Sequence, residues 1–201
     1  MFTPAPLFPG ARVALLCTSS AVPDGRLAPA VAAVRSLGLE PVIYPSCTEL
    51  HGYFSGDDAR RAADLNAAFA DESIDGILCA RGGYGAHRLL PLLDFDVIAA
   101  HPKFFSGYSD VTALHTAFQQ ECGFVTYHTI MPTTEYYQPV DCYSMDYLRR
   151  ALFGCLTGPL CNPPDQPPVT LAGGRVTAPL CGGNLSLLAA SLGTPWEVDT
   201  K

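Results

Sequence analysis

The feature that most narrows the fold of this sequence is a repeated alternation of short apolar runs with helical segments, in which several runs end in loops of Gly, Ser and Thr. Ala11 to Cys17 reads as a buried first strand with Thr18-Ser19-Ser20 at its carboxyl end. Leu27, Val31, Val34 and Leu37 recur four and three apart and predict a helix stopped at Gly38. Pro41 to Tyr44 is a second strand, and Asp57 to Phe69 a second helix with an acidic first turn. Ile74 to Ala80 makes a third strand that runs into Arg81-Gly82-Gly83-Tyr84-Gly85 and a short helix through Leu89 to Leu93. Phe104 to Ser106 is a fourth strand, turning through Gly107-Tyr108 into a helix from Asp110 to about Gln120, and Phe124 to His128 is a fifth. The alternation predicts an α/β fold, a doubly wound and mostly parallel sheet of five or six strands covered on both faces. Function in such a sheet belongs at the carboxyl ends of the strands.

The texture changes at 159–174, where Pro159, Pro163-Pro164, Pro167-Pro168 and Gly173-Gly174 crowd a stretch with little periodicity. Residues 1–158 are therefore expected to form the α/β domain and 159–174 a crossing. Residues 175–201 then begin a smaller, mainly β domain, with a strand at Val176 to Leu180 and a helix at Leu185 to Leu192, and are too short to bury a core of their own. The uncharged stretch from Val176 to Trp196 is interrupted by Pro179, Gly182-Gly183-Asn184, Gly193 and Pro195, which excludes a membrane helix. Twelve basic against nineteen acidic residues give a net charge of −7, the wrong sign for a surface that tracks phosphates, so nucleic acid is not an expected partner. The eight cysteines form no C-x-x-C and mostly sit in apolar runs, so buried, reduced thiols are expected. With an N-terminus that lacks a signal-peptide pattern, they point to the cytoplasm.

Two loops at strand ends carry the candidate chemistry. In Gly107-Tyr108-Ser109-Asp110 a serine sits on a tight strand-to-helix turn, which exposes its hydroxyl and points the following N–H groups at an oxyanion. Val111 replaces the second glycine of a nucleophile elbow, and Ser109 or Asp110 as a helix N-cap is the competing reading. In Arg81-Gly82-Gly83-Tyr84-Gly85 the glycines allow close backbone approach to a ligand, or serve a turn into a helix. Arg88 stands where a dinucleotide fingerprint needs its third glycine, and no Gly-Lys-Ser/Thr follows, so neither phosphate motif is present. His51, His87, His101, His115 and His128 show no metal-ligand spacing, and no metal or cofactor is expected. His115, six residues after Ser109 on one helix, should point away from the serine. His128 at a strand end is open to either a site or a rim role, and Asp94 and Asp96 read as solvated turn carboxylates.

Taken together, these blocks resemble the LD-carboxypeptidase family of serine peptidases, the muramoyltetrapeptide carboxypeptidases to which the microcin C immunity peptidases belong. The resemblance runs from the Thr18-Ser19-Ser20 loop through Tyr53 to Phe69, Ile77 to Gly85, and Gly107-Tyr108-Ser109-Asp110-Val111-Thr112-Ala113-Leu114. It resumes at Gly182-Gly183-Asn184-Leu185 and Leu192-Gly193-Thr194-Pro195. Tyr127-His128-Thr129-Ile130-Met131-Pro132 departs from the His-Gly-Pro expected there, so the resemblance gives His128 no role. It implies Ser109 as the nucleophile of a Ser-Glu-His triad whose Glu and His lie in the family's C-terminal domain, beyond Lys201, since Glu197 and Asp199 precede the expected position. The chain is then expected to be the N-terminal two-thirds of such an enzyme, and inactive alone.

The resemblance further implies release of a terminal D-amino acid from cytoplasmic murein tetrapeptides during peptidoglycan recycling, without a cofactor. Backbone N–H groups near Gly83 and Asp110, beside Gly82, would hold the oxyanion. Arg81 would meet the substrate's terminal carboxylate or anchor its own loop. A homodimer is open to such a protein. A non-catalytic α/β module binding a peptide or anion, and a microcin-type immunity peptidase, are the alternative readings.

Overall fold

The computed structural model describes residues 1–163 and 165–200. Five strands, β1 (Arg12–Leu16), β2 (Glu40–Ile43), β3 (Gly76–Cys79), β4 (Phe104–Gly107) and β5 (Tyr127–His128), form one sheet in the order β2-β1-β3-β4-β5. Every pairing is parallel, with Leu15 opposite Ile43 and Leu78, and Gly107 opposite His128. The order reverses at β1, so the crevice between the carboxyl ends of β1 and β3 is the switch point where open α/β sheets take their ligands.

Successive residues of the central strands serve opposite layers, which is why they read as continuous apolar runs. Ala14, Leu16, Ile77, Cys79 and Phe105 pack with Ala62, Leu65 and Phe69 of α2 (Asp58–Ala70), Ile98 of α3 (Phe95–Ala100) and Leu114 of α4 (Thr112–Ala117). Val13, Leu15, Cys17, Leu78 and Phe104 pack with Val31 and Val34 of α1 (Leu27–Ser36) and Leu148 and Leu152 of α5 (Cys142–Leu152). The sheet is thus doubly wound, as expected.

Four local readings are corrected. The helix expected through Leu93 is two single 3₁₀ turns, Ala86–Arg88 and Leu90–Leu92, because Pro91 interrupts it. Asp94 and Asp96 are exposed, as expected, but belong to a helix and not to a simple turn: the Asp94 carboxylate caps α3 by accepting from Val97 N at 3.0 Å, and Asp96 lies in its first turn. Helix α5, capped by Asp141, was not anticipated from the sequence. No strand forms at Val176 to Leu180, where Val176 and Leu180 are each 87% exposed, since no edge among the described residues pairs with that run. The helix beyond it is present as α6 (Leu185–Ser191), capped by Asn184.

The described residues of 159–183 lie in no helix or strand. The cysteines divide unevenly: Cys17, Cys47 and Cys79 are buried, whereas Cys142, Cys155, Cys161 and Cys181 are exposed, so the expectation of buried thiols holds only for those on or beside the sheet. No helix among the described residues is long and apolar enough to cross a membrane.

Candidate active site

Ser109 stands where β4 turns into the helix, with φ at +60°, and among the described residues no other non-glycine residue has a positive φ. That conformation is costly for a side chain bearing a Cβ, and it persists only where surrounding contacts over-determine it. A 3₁₀ turn over Ser109–Val111 leads into α4, and no side chain caps either start. The capping alternative therefore has no geometric basis. Asp110 points elsewhere, and the half-buried Ser109 hydroxyl takes part in no hydrogen bond among the described residues. Val111 replaces the second elbow glycine without conflict because it turns into the core, against Gly107.

The glycines of the third-strand loop make room for the protein's own groups. A Cβ on Gly82 would lie 3.2 Å from Ser109 Cβ and 3.5 Å from the N of Asp110. One on Gly83, whose φ is +130°, would collide with the Ser20 hydroxyl, and one on Gly85 would press on Arg61 Nη1 at 2.8 Å. Close backbone approach is thus required at all three, first by neighbouring loops. Among the described residues no acceptor takes the N–H of Gly83 or of Asp110; Asp110 follows Ser109 directly, and Gly83 follows the glycine that lies against it.

Two buried charges tie these loops together. The Asp110 carboxylate, 1% exposed, accepts from Ser19 Oγ at 2.6 Å and from Ala86 N at 2.8 Å. Arg61, reaching in from α2 with no exposed surface, donates through Nη1 to Thr18 O at 2.6 Å and Gly85 O at 3.2 Å. Its guanidinium lies over the Phe54 ring and pairs with Asp58, which Arg88 also holds. Burial lowers the Arg61 pKa, and the hydrogen bonds of Arg88 lower that of Asp58. Arg81 donates from Nη1 to Ala21 O at 2.6 Å, which anchors its loop to the loop after β1.

No histidine among the described residues hydrogen-bonds to Ser109. Gly107 O accepts from His115 Nε2 at 2.9 Å, which fixes the tautomer, so Nδ1 accepts from Thr126 Oγ1 at 2.8 Å. Burial pushes the His115 pKa down to about 4, and the neutral ring pins the end of β4. His128 stacks on His115 at 5.9 Å between centroids, and burial lowers its pKa too. Tyr108, next to Ser109, donates to Glu135 Oε1 at 2.7 Å, and burial together with that bond raises the phenol to about 12.

Ser109, Gly82, Gly83 and Asp110 therefore come together, and Arg81 stands beside them as a loop anchor. Sequence reasoning missed Arg61 and the Asp110 carboxylate. An arginine on the inward face of a helix that otherwise presents Ala62, Leu65 and Phe69 was the available signal. A cleft of about 970 Å³ lies elsewhere, between Tyr127 and His128 of β5, Tyr147 and Leu148 of α5, and Leu180; Ser109 does not line it.

The Gly183-Asn184 turn closes on the start of α4, with Asn184 N donating to Thr112 Oγ1 at 2.9 Å. The segment after α6 meets the turn that follows α4, where Gln120 donates to Glu197 O at 3.0 Å and accepts from Asp199 N at 2.7 Å.

The family described as LD-carboxypeptidase N-terminal domain matches residues 13–129, which include both loops and Ser109. A Streptomyces coelicolor protein assigned as a carboxypeptidase is 43% identical over 196 residues, spanning 96% of this chain and 62% of its own length. A Bacillus subtilis protein assigned as a murein peptide carboxypeptidase is 36% identical over 204 residues, spanning 100% of this chain and 62% of its own. The crystal structure of an MccF-like protein from Bacillus anthracis superposes with a TM-score of 0.87 at 28% identity, covering 100% of this chain and 68% of that one. The chain thus spans about 62% of the length of these two curated relatives. With the family match lying across the sheet and its elbow, and the identity extending along the rest, this chain belongs to the LD-carboxypeptidase family.

Proposed function

We propose that this chain carries the nucleophile of a serine-type LD-carboxypeptidase that releases a terminal D-amino acid from murein tetrapeptides in the cytoplasm. The observation that carries the reading is Ser109, held at φ +60° against Gly82 with an unbonded hydroxyl, while among the described residues no acceptor takes the N–H groups of the neighbouring Gly83 and Asp110. Ser109 attacks the carbonyl before the terminal residue, and those two N–H groups take the developing oxyanion. Gly82 lets the loop lie against the serine. Arg81 holds its loop through Nη1 and presents the rest of its guanidinium to the terminal carboxylate.

No histidine among the described residues hydrogen-bonds to Ser109. The family resemblance supports a His as the base and a Glu as its carboxylate partner, both in the part of the curated relatives' length that this chain does not span. The name of the Bacillus subtilis relative supports murein peptides as the substrate class. The likeness to the MccF-like protein favours a second reading, an immunity-type peptidase acting on a microcin C-type peptide.

Incubation of the protein, at the full length of its curated relatives, with a murein tetrapeptide should release D-alanine detectable by mass spectrometry, and Ser109→Ala should abolish the release. Cleavage of a microcin-type peptide but not of the tetrapeptide would move the assignment to the second reading.

A further inference from the structure

We propose that Arg61 and Asp110 are positioning residues, two opposite buried charges that lock three strand-end loops around Ser109 and so hold the undonated Gly83 and Asp110 N–H groups in place. The proposal rests on the carboxypeptidase reading for its catalytic consequence and on geometry for the rest. Arg61 joins the loop after β1 to the loop after β3 through Thr18 O and Gly85 O. Asp110 joins the same two loops to the elbow through Ser19 Oγ and Ala86 N. The direct backbone bond between the loops is a long one, Ser20 N to Gly82 O at 3.4 Å.

The loop needs such fixing because its glycines favour no one backbone conformation, while an oxyanion donor works only when held in place before the charge develops. Two charges with essentially no exposed surface are an expensive way to fix a turn, and they are tolerated because each is matched. Arg61 has Asp58, the Phe54 ring and two carbonyls, and Asp110 has two donors. The glycine at position 85 belongs to the same device, since a Cβ there would displace the Arg61 guanidinium.

Arg61→Lys, Asp110→Asn and the milder Ser19→Ala, made in the protein at the full length of its curated relatives, test this by two measurements. Amide exchange followed by mass spectrometry is expected to quicken about tenfold or more in residues 82–86 of each variant, with α5 exchanging as in the parent. On a murein tetrapeptide kcat is expected to fall on the order of 100-fold with KM within about threefold, the split expected when donors drift while binding groups stay. Parental exchange in 82–86 in all three variants overturns the clamp. Quickened exchange with parental kcat overturns the positioning role and leaves a structural one. If the parent itself does not cut the tetrapeptide, the carboxypeptidase reading fails separately, and exchange still decides the clamp.

Discussion

The sheet region and the segment after α5 contain the same kinds of apolar residue and treat them in opposite ways. Leu15, Leu16, Ile77 and Phe105 have no exposed surface, whereas Leu160 is 72%, Leu171 96% and Val176 87% exposed. The difference is partnership. Each central strand has a neighbour on both sides and a helical layer on both faces, so its apolar side chains and its backbone groups are satisfied together. Residues 165–183 lie in no helix or strand, and the chain returns to the sheet region at the Gly183-Asn184 turn on Thr112. An apolar run is a strand only where another strand exists to receive it.

The sharpest way to break this comparison is at Ser109, because the reacting atom is proposed for the sheet region alone. If the proposed function holds, Ser109→Ala in the protein at the full length of its curated relatives should reduce tetrapeptide turnover on the order of a million-fold, the loss seen when a member of a catalytic triad is removed. Activity within about tenfold of the parent would return Ser109 to a purely structural place in the turn. The 201-residue chain by itself should release no D-alanine, since an unactivated hydroxyl is a weak nucleophile at neutral pH.

The contrast in packing sets the next effect. Phe105→Ala removes a ring that contacts Phe69, Phe118 and His115 in the core, and should lower the unfolding free energy by about 3–5 kcal/mol. Leu171→Ala, at 96% exposure, should change it by less than about 0.5 kcal/mol. Urea unfolding of the two variants measures both. Equal losses would mean that the exposed segment is covered in solution.

A third test uses pH to probe the same core. His115 is neutral in the fold because burial pushes its pKa from 6.5 down to about 4. Below the unfolded value the unfolded chain takes up a proton that the folded chain refuses, so stability is full above pH 6.5 and falls as the pH drops toward 4. The loss from this residue is of order 3 kcal/mol across that window. Unfolding free energies of the parent and of His115→Gln at pH 7 and pH 4.5 should diverge in slope accordingly; parallel slopes would show that the ring is not held neutral by burial.

Most of the sheet was legible because a parallel strand buried on both faces announces itself as an uninterrupted apolar run, and β1 and β3 do so. The elbow was legible because Gly107-Tyr108-Ser109-Asp110 compresses the end of a strand, a turn and the start of a helix into one block. What was not legible depends on through-space partners. Asp110 looks like a helix cap in sequence, and only the approach of Ser19 and Ala86 turns its carboxylate toward other loops. Arg61 is one of two adjacent arginines in α2; its neighbour Arg60 stays at the surface with Glu49, and helix phase separates them. Val176 to Leu180 failed for the reverse reason, since its propensity has no partner to act on.

The smallest expected effect asks whether substrate selection also resides in the sheet region. A carboxypeptidase must recognise a free terminal carboxylate, and Arg81, tied to Ala21 O by one nitrogen, is held in one orientation beside the glycine loop. Leaving that guanidinium unmatched in a partly desolvated site costs on the order of 1–3 kcal/mol. The protein at the full length of its curated relatives should accordingly cut a tetrapeptide ending in free D-alanine roughly 5- to 150-fold faster than its C-terminal amide. Arg81→Ala should bring the two rates together, whereas Leu171→Ala in the exposed segment should leave their ratio unchanged. Equal rates for acid and amide in the parent would confine Arg81 to its anchoring bond. A peptide ending in L-alanine tests stereochemistry apart from charge, because its carboxylate is identical and only the methyl group changes place; if it is cut as fast as the D-form, the elbow serves a general peptidase.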